Sequence, residues 1–316
     1  MNNRKNNRYS IEEIKSNPYS FTFQEAADAM GGETAAWYAS LYRKRPQKEN
    51  QTLAMKIISR RGSTEKYTFA LSDGECIETS LIRRIDGGIL CVSTQAGCPA
   101  GCIFCESGKY GFSRNLSVSE IIQQVVLMKR SVSRIAFMGM GEPLLNYDNL
   151  IKAIHILQEA NGLNYPAEGI TVVTTGPVSQ LKRLRDEDLN IRLVISLHAA
   201  SQAARDIIMP NMYKHDINQI VEAALSYSER SNRKVVFSYL LLPKINDSLS
   251  DVDQLARWFR GRNVMINLLE YNETGSDPIK KPDFRTMAEF KRKLEYEGLE
   301  VKVNADYNLH VNDRFP

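Results

Sequence analysis

The sequence has no apolar run that approaches the roughly 18 residues needed to cross a membrane. Its first ten residues, MNNRKNNRYS, are polar and lack the apolar core of a signal peptide. Histidine is scarce, with four copies, and cysteine occurs five times, an odd number that does not suit a secreted disulfide framework. We therefore predict a cytoplasmic protein with reduced thiols and no membrane contact.

The charge balance does not identify a partner. The chain carries 41 basic and 37 acidic residues, a net charge of +4. This small excess is compatible with nucleic acid or another phosphate-bearing partner without specifying one. The length of 316 residues and the apolar fraction of 43% allow one large α/β domain, alone or with a small appendage.

Strand-like and helix-like segments alternate after residue 87. Continuous apolar runs separated by helical patterns predict buried parallel strands. Six such runs lie at 88–94, 134–140, 169–175, 191–197, 234–242 and 264–270. They suggest an α/β fold with an open or incomplete (β/α) barrel.

The segment before these runs has a different organisation. We predict an N-terminal helical extension over residues 1–62, with one helical stretch at about 23–42, and a β-hairpin over 63–87 that turns at Asp73-Gly74. Residues 88–316 then form the core. Within that core, Ser117, Asp216 and Ser248 are predicted helix N-caps.

A cysteine motif follows the first predicted core strand. Cys98, Cys102 and Cys105 form a CxxxCxxC pattern within eight residues, with Gly97 and Gly101 as permissive backbone positions. Three thiolates from one loop suit three irons of a [4Fe–4S] cubane and leave the fourth iron open to another ligand. A structural zinc site, the alternative, requires a fourth protein ligand, and all four histidines are distant in sequence.

The stretch CVSTQAGCPAGCIFCESGKYGFSRNLSVSEIIQQV, followed by FMGMGEPLLN, resembles the RlmN/Cfr family of radical S-adenosylmethionine (SAM) enzymes. These enzymes methylate adenosine in ribosomal RNA. The resemblance runs from about residue 56 to 303. It implies a partial (β/α)6 barrel, a [4Fe–4S] cluster held by the three cysteines, and SAM on the open iron. It also implies an external one-electron donor of the flavodoxin or ferredoxin type.

The same resemblance implies residues that contact SAM. They are Gly141, Glu142, Val173, Ser196, Leu197, His198 and Asn267. Val173 replaces a residue that is often serine in the family, so its contact would use the backbone. Glu78 corresponds to a proposed proton-accepting glutamate. Cys91 corresponds to the cysteine that resolves the protein–RNA adduct, although a buried core thiol is the structural alternative.

The sequence departs from the family pattern near its C-terminus. Family members use a second catalytic cysteine there as methyl carrier, and the corresponding position is close to Phe315. A phenyl ring cannot act as the nucleophile of methyl transfer. Cys76 is an alternative thiol, because strand periodicity places it on the same face as Glu78.

These observations lead to three hypotheses. The first is a radical SAM enzyme that forms a 5′-deoxyadenosyl radical and abstracts hydrogen from a nucleoside, nucleotide or small metabolite. The second is RNA adenine C-methylation with a non-standard carrier thiol. The third is a non-catalytic metal-binding module that contacts RNA. Their products differ, because the second yields S-adenosylhomocysteine with 5′-deoxyadenosine and the third yields neither.

Overall fold

The structure is a computed structural model that describes residues 8–43, 53–85, 87–128, 132–211, 215–271 and 280–304. The chain forms two compact units. The first comprises Met1–Ala96 and Arg114–Thr171, and the second comprises Gly97–Ser113 and Val172–Pro316. Over the described ranges, no helix combines the length and apolarity that a bilayer crossing demands.

Strands and helices alternate along most of the described chain. The strands are β1 Ala54–Arg61, β2 Thr64–Ala70, β3 Cys76–Ile82, β4 Gly88–Val92, β5 Gln95–Gly97, β6 Phe112–Asn115, β7 Val132–Phe137, β8 Ile170–Thr174, β9 Arg192–Ser196, β10 Val235–Leu240, β11 Val264–Leu269 and β12 Val301–Asn304. The helices are α1 Ile11–Ser16, α2 Phe23–Met30, α3 Thr34–Arg43, α4 Glu106–Lys109, α5 Val118–Leu127, α6 Tyr147–Gln158, α7 Val178–Asp186, α8 Gln202–Ile208, α9 Ile217–Ser231, α10 Leu249–Phe259 and α11 Phe284–Tyr296.

In the first unit, strands β1 to β4 are consecutive antiparallel neighbours, and β7 then pairs parallel to β4. The hairpin predicted around Asp73-Gly74 is present as β2 and β3. Strand β1 lies inside the segment 1–62, which the sequence predicted as helical. Strand β1 forms because it pairs with β2, and this tertiary contact outweighs the weak sequence pattern of the segment.

The helical stretch predicted at 23–42 is two helices. Helix α2 starts at a Thr22–Glu25 capping box and ends at Gly31, whose φ of +69° stops helical propagation. Helix α3 then begins at Thr34. Ser117 caps helix α5 as predicted, and it forms a capping box with Glu120. The starts of α2 and α5 are therefore fixed by hydrogen bonds between residues three positions apart.

In the second unit, β9, β10, β11 and β12 are consecutive parallel neighbours, and β8 adjoins β9. The six predicted core strands are present as β4 and β7–β11, which confirms an α/β fold with a mostly parallel sheet. Asp216 and Ser248 cap α9 and α10 as predicted. Strand β12 was not predicted, because a run of only four residues gives little periodic signal.

Candidate functional site

The three motif cysteines lie on an irregular loop of the second unit. Cys98 and Cys102 are buried, Cys105 is half-buried, and none of the three is in a disulfide. The Cys98 N–H donates to Gly111 O at 2.8 Å, and the Ile103 N–H donates to Ile208 O at 3.0 Å. These backbone bonds hold the loop at its start and near its middle.

Two glycines allow the loop to follow this path. Gly97 has φ of +73°, and a Cβ there would lie 1.9 Å from Gly111 O. Gly101 has φ of +60°, and a Cβ there would lie 2.2 Å from Asn211 Nδ2. Only glycine combines a positive φ with this close approach, so the sequence expectation for both positions agrees with the geometry.

The donor set of the loop fits an iron–sulfur cluster. Within the described ranges, no three His, Cys, Asp or Glu side chains converge in a way that could hold a metal ion. In a cubane each cysteine binds a different iron, so the sulfurs need not converge on one ion. Three thiols on one loop, none of them in a disulfide, match that requirement better than they match a closed zinc site, which needs a fourth protein ligand.

His198 occupies the strained end of strand β9. Its φ is +54°, which is unusual for a residue with a side chain. Its Nδ1 accepts a hydrogen bond from the Leu240 N–H at 3.0 Å, and its ring lies edge-on to Phe104 of the cysteine loop, with centroids 5.0 Å apart. Burial, with a smaller contribution from the Arg205 charge, lowers the pKa of His198 to about 3. The ring is therefore neutral, with its proton on Nε2.

Arg205 holds the backbone around this histidine. Its buried guanidinium donates to Ser196 O at 3.0 Å, Leu197 O at 2.5 Å and Thr175 O at 2.5 Å. Three carbonyls at the carboxyl ends of β8 and β9 thus share one cation. The sequence did not indicate Arg205, because every residue type has a backbone carbonyl and the three that it binds lie at the ends of two different strands.

A row of polar side chains crosses strands β9 to β11. Ser196 pairs with Ser238, and Ser238 pairs with Asn267, so all three lie on one face of the parallel sheet. Asn267 is 4% exposed, and its Oδ1 has no hydrogen-bond partner in the described part of the chain. A buried acceptor without a donor indicates a ligand group that supplies one. Ser238 was not among the predicted contacts.

Glu78 and Cys91 are neighbours on one face of the first unit. Ser80 pairs with Cys91, and Glu78 lies two residues before Ser80 on the same face. The Ser93 hydroxyl donates to Glu78 O at 2.5 Å and accepts from the Met140 N–H at 2.8 Å. Burial raises the pKa of Cys91 to about 12, so its thiol stays protonated at neutral pH.

The Gly141-Glu142 segment of the first unit is fixed by Gln95. The Glu142 N–H donates to Gln95 Oε1 at 2.8 Å, and the buried Glu142 carboxylate accepts from the Leu144 N–H at 2.9 Å. Gly141 has φ of +103°, and a Cβ there would lie 2.6 Å from Gln95 Cβ. A carboxylate fixed in this way can pair with an ammonium group such as that of SAM.

The predicted site residues therefore form separate groups within each unit. Val173, on β8, is half-buried. Cys76, the alternative thiol, is half-buried at the start of β3. Phe315, the position that corresponds to the methyl carrier, lies outside the described residues.

Comparisons with protein families and with curated proteins agree with one another. Residues 92–259 match the Radical SAM superfamily. A probable RNA methyltransferase of Rhodopseudomonas palustris is 45% identical over 74% of this chain and 65% of its own length. A probable dual-specificity RNA methyltransferase RlmN of Dictyoglomus turgidum is 38% identical over 79% of this chain and 74% of its own.

A solved structure agrees with these matches. A radical SAM methyltransferase from Sphaerobacter thermophilus superposes with a TM-score of 0.84 at 30% identity, covering 91% of this chain and 94% of that one. The chain therefore belongs to the radical SAM superfamily and, within it, to the RlmN-like family. It is an enzyme whose cofactors are a [4Fe–4S] cluster and SAM. The hypothesis of a non-catalytic module is thereby set aside.

Proposed function

We propose that this enzyme methylates adenine in RNA. The supporting observation is that relatives named RNA methyltransferases match about three quarters of the chain at 36–45% identity. They favour this hypothesis over hydrogen abstraction from a nucleoside, nucleotide or small metabolite, which was the first of the three hypotheses. An external one-electron donor completes the proposed system.

The first group of proposed roles concerns cofactor binding. When bound, the cluster and SAM supply the methyl group and the one-electron chemistry. The cluster would be held by Cys98, Cys102 and Cys105. The Glu142 carboxylate would accept a hydrogen bond from the ammonium group of SAM, and Asn267 Oδ1 would accept one from its adenine group. Both acceptors are buried, and Asn267 Oδ1 has no partner within the described residues.

Glu78 is the proposed proton acceptor. Methyl transfer also needs a carrier thiol and a thiol that resolves the RNA adduct, and two cysteines lie outside the cluster loop. Cys91 is fully buried with a raised pKa, so it is a poor initial nucleophile. Cys76 is half-buried and lies two residues before Glu78 on the same strand face. We assign Cys76 as the thiol that carries the methyl group and Cys91 as the thiol that resolves the RNA adduct.

The test uses anaerobically reconstituted enzyme, reductant, RNA and SAM with a deuterated methyl group. We expect labelled RNA, 5′-deoxyadenosine and S-adenosylhomocysteine from the wild-type protein, and a labelled Cys76 peptide. Cys76→Ala abolishes both S-adenosylhomocysteine and labelled RNA but keeps the cluster. Cys91→Ala keeps S-adenosylhomocysteine and blocks release of methylated RNA.

Two outcomes contradict the proposal. Formation of 5′-deoxyadenosine without S-adenosylhomocysteine, with unlabelled RNA, supports direct hydrogen abstraction from another substrate. Labelled RNA from the Cys76→Ala variant overturns the assignment of the carrier alone. Cys98→Ala, which removes a proposed cluster ligand, is the control that eliminates every product.

A further inference from the structure

Lys66 and Glu78 form a buried ion pair on the face of β2 and β3 that also carries Cys91. Lys66 Nζ lies 3.3 Å from Glu78 Oε2, and the two side chains are 8% and 9% exposed. Lys66 pairs with Ser80, and Ser80 pairs with Cys91, so Lys66 and Cys91 point to the same side of the sheet.

The hydrogen bonding of the Lys66 ammonium is the second feature of this pair. No described residue accepts a hydrogen bond from its Nζ, although the atom is buried. An ammonium has three N–H donors, and leaving them unsatisfied away from water costs free energy. The contact with Glu78 compensates the charge but does not satisfy the donors. This arrangement indicates a ligand acceptor beside Lys66.

The charge of the pair restricts the chemistry of that ligand. Lys66 and Glu78 neutralise each other, and a phosphate next to Lys66 would also approach the Glu78 carboxylate, which repels it. A neutral heterocycle avoids this repulsion. A purine carbon that carries hydrogen is flanked by ring nitrogens, so an acceptor and a C–H group lie side by side. An ammonium beside a carboxylate is complementary to that edge.

We propose that Lys66 is a substrate-binding residue whose ammonium donates a hydrogen bond to a ring nitrogen of the target adenine, beside the carbon that faces Glu78. The inference rests on the proposed function, because it takes adenine in RNA as the substrate. Lys66 then orients the ring and draws electron density from it, while Glu78 remains the acceptor for the proton that the ring carbon loses.

The test is a double-mutant cycle between protein and RNA. The target adenosine of a substrate RNA is replaced by 1-deaza-, 3-deaza- or 7-deazaadenosine, each lacking one ring nitrogen. For wild-type holoenzyme we expect one replacement to weaken RNA binding and lower kcat/KM roughly tenfold or more, as loss of a charged hydrogen bond does. The Lys66→Met variant shows a similar loss with adenosine and no further loss with that analogue.

Controls separate this role from a structural one. Lys291→Met breaks the exposed Lys291–Glu295 pair and leaves the response to all three analogues unchanged. If Lys66→Met does not fold, the double variant Lys66→Met/Glu78→Gln removes both buried charges, and its RNA affinity is compared with that of Glu78→Gln.

The outcomes distinguish the two proposals. If the wild-type enzyme methylates adenine but every deaza analogue weakens both proteins equally, Lys66 does not contact the ring and the inference fails alone. If the wild-type enzyme methylates no adenine in RNA, the proposed function and this inference both fail. A selective loss of sensitivity to one analogue supports both and identifies which nitrogen Lys66 binds.

Discussion

At the scale of single residues, His198 accepts hydrogen bonds through both its side chain and its backbone. Its ring accepts from the Leu240 N–H, and its carbonyl accepts from Asn246 Nδ2 at 2.7 Å. Together with a positive φ, these bonds place the end of β9 in a conformation that a regular strand does not adopt. The resemblance predicted His198 as a SAM contact, and this geometry leaves Nε2 as the ring nitrogen for that contact.

The lowered pKa of His198 predicts an acid-sensitive stability. The unfolded chain protonates this residue below about pH 6.5, whereas the folded chain resists protonation until about pH 3. Stability is therefore complete above pH 6.5 and falls as the pH decreases through that window. Between pH 7 and pH 5 we expect a loss of about 2 kcal/mol from this residue.

Urea denaturation of the wild-type protein and the His198→Asn variant at both pH values measures the effect. Asparagine tolerates a positive φ and keeps an acceptor for the Leu240 N–H, but it does not titrate. The variant should lose less stability than the wild-type protein on acidification. Equal losses would contradict the prediction, and His155→Asn, at an exposed position of α6, controls for the substitution itself.

At the scale of elements, the cysteine loop depends on a close contact with the segment after α8. Ile103 bonds to Ile208 O, and Gly101 packs against the Asn211 side chain. The loop therefore acquires its shape from residues about 100 positions later in the chain. Such support is a tertiary property, since nothing in the CxxxCxxC spacing refers to it.

We predict that Gly101→Ala lowers iron incorporation severalfold after anaerobic reconstitution. The new Cβ would meet Asn211 Nδ2 at 2.2 Å, in addition to the cost of about 1–2 kcal/mol for an alanine at positive φ. Gly261→Ala is the matched control, because Gly261 has φ of +74° with nothing within 4 Å of its Cβ position. Iron content per chain should fall in the first variant only. A full iron complement in Gly101→Ala would refute the steric argument.

At the scale of the whole molecule, cofactor binding contributes to folding stability. A ligand that binds only the folded protein stabilises it by mass action. We expect SAM at about 100 times its dissociation constant to add about 2.7 kcal/mol to the unfolding free energy of the cluster-loaded enzyme.

Thermal unfolding under anaerobic conditions checks this expectation, as a rise of several degrees in the midpoint. Asn267→Leu, which replaces the unpartnered acceptor with an apolar side chain, should show a smaller rise at the same SAM concentration. An unchanged rise in this variant would show that Asn267 does not contact SAM. The cluster-free protein is the second control, because it lacks the open iron.

Local patterns determined much of this protein in advance. Six core strands, the Asp73-Gly74 turn and the caps at Ser117, Asp216 and Ser248 follow from periodicity and capping chemistry, which act over a few residues. The cysteine spacing and flanking glycines, which are equally local, indicated the cluster. The longer FMGMGEPLLN and CVSTQAGC stretches indicated the family.

Only the tertiary structure decided which distant groups support these motifs. Arg205 binds three carbonyls, Gln95 holds Glu142, and Lys66 meets Glu78 through strand register. These contacts depend on which strands become neighbours. A hydrogen bond to a backbone carbonyl or amide leaves no residue type in the partner to recognise, so sequence periodicity cannot reveal it.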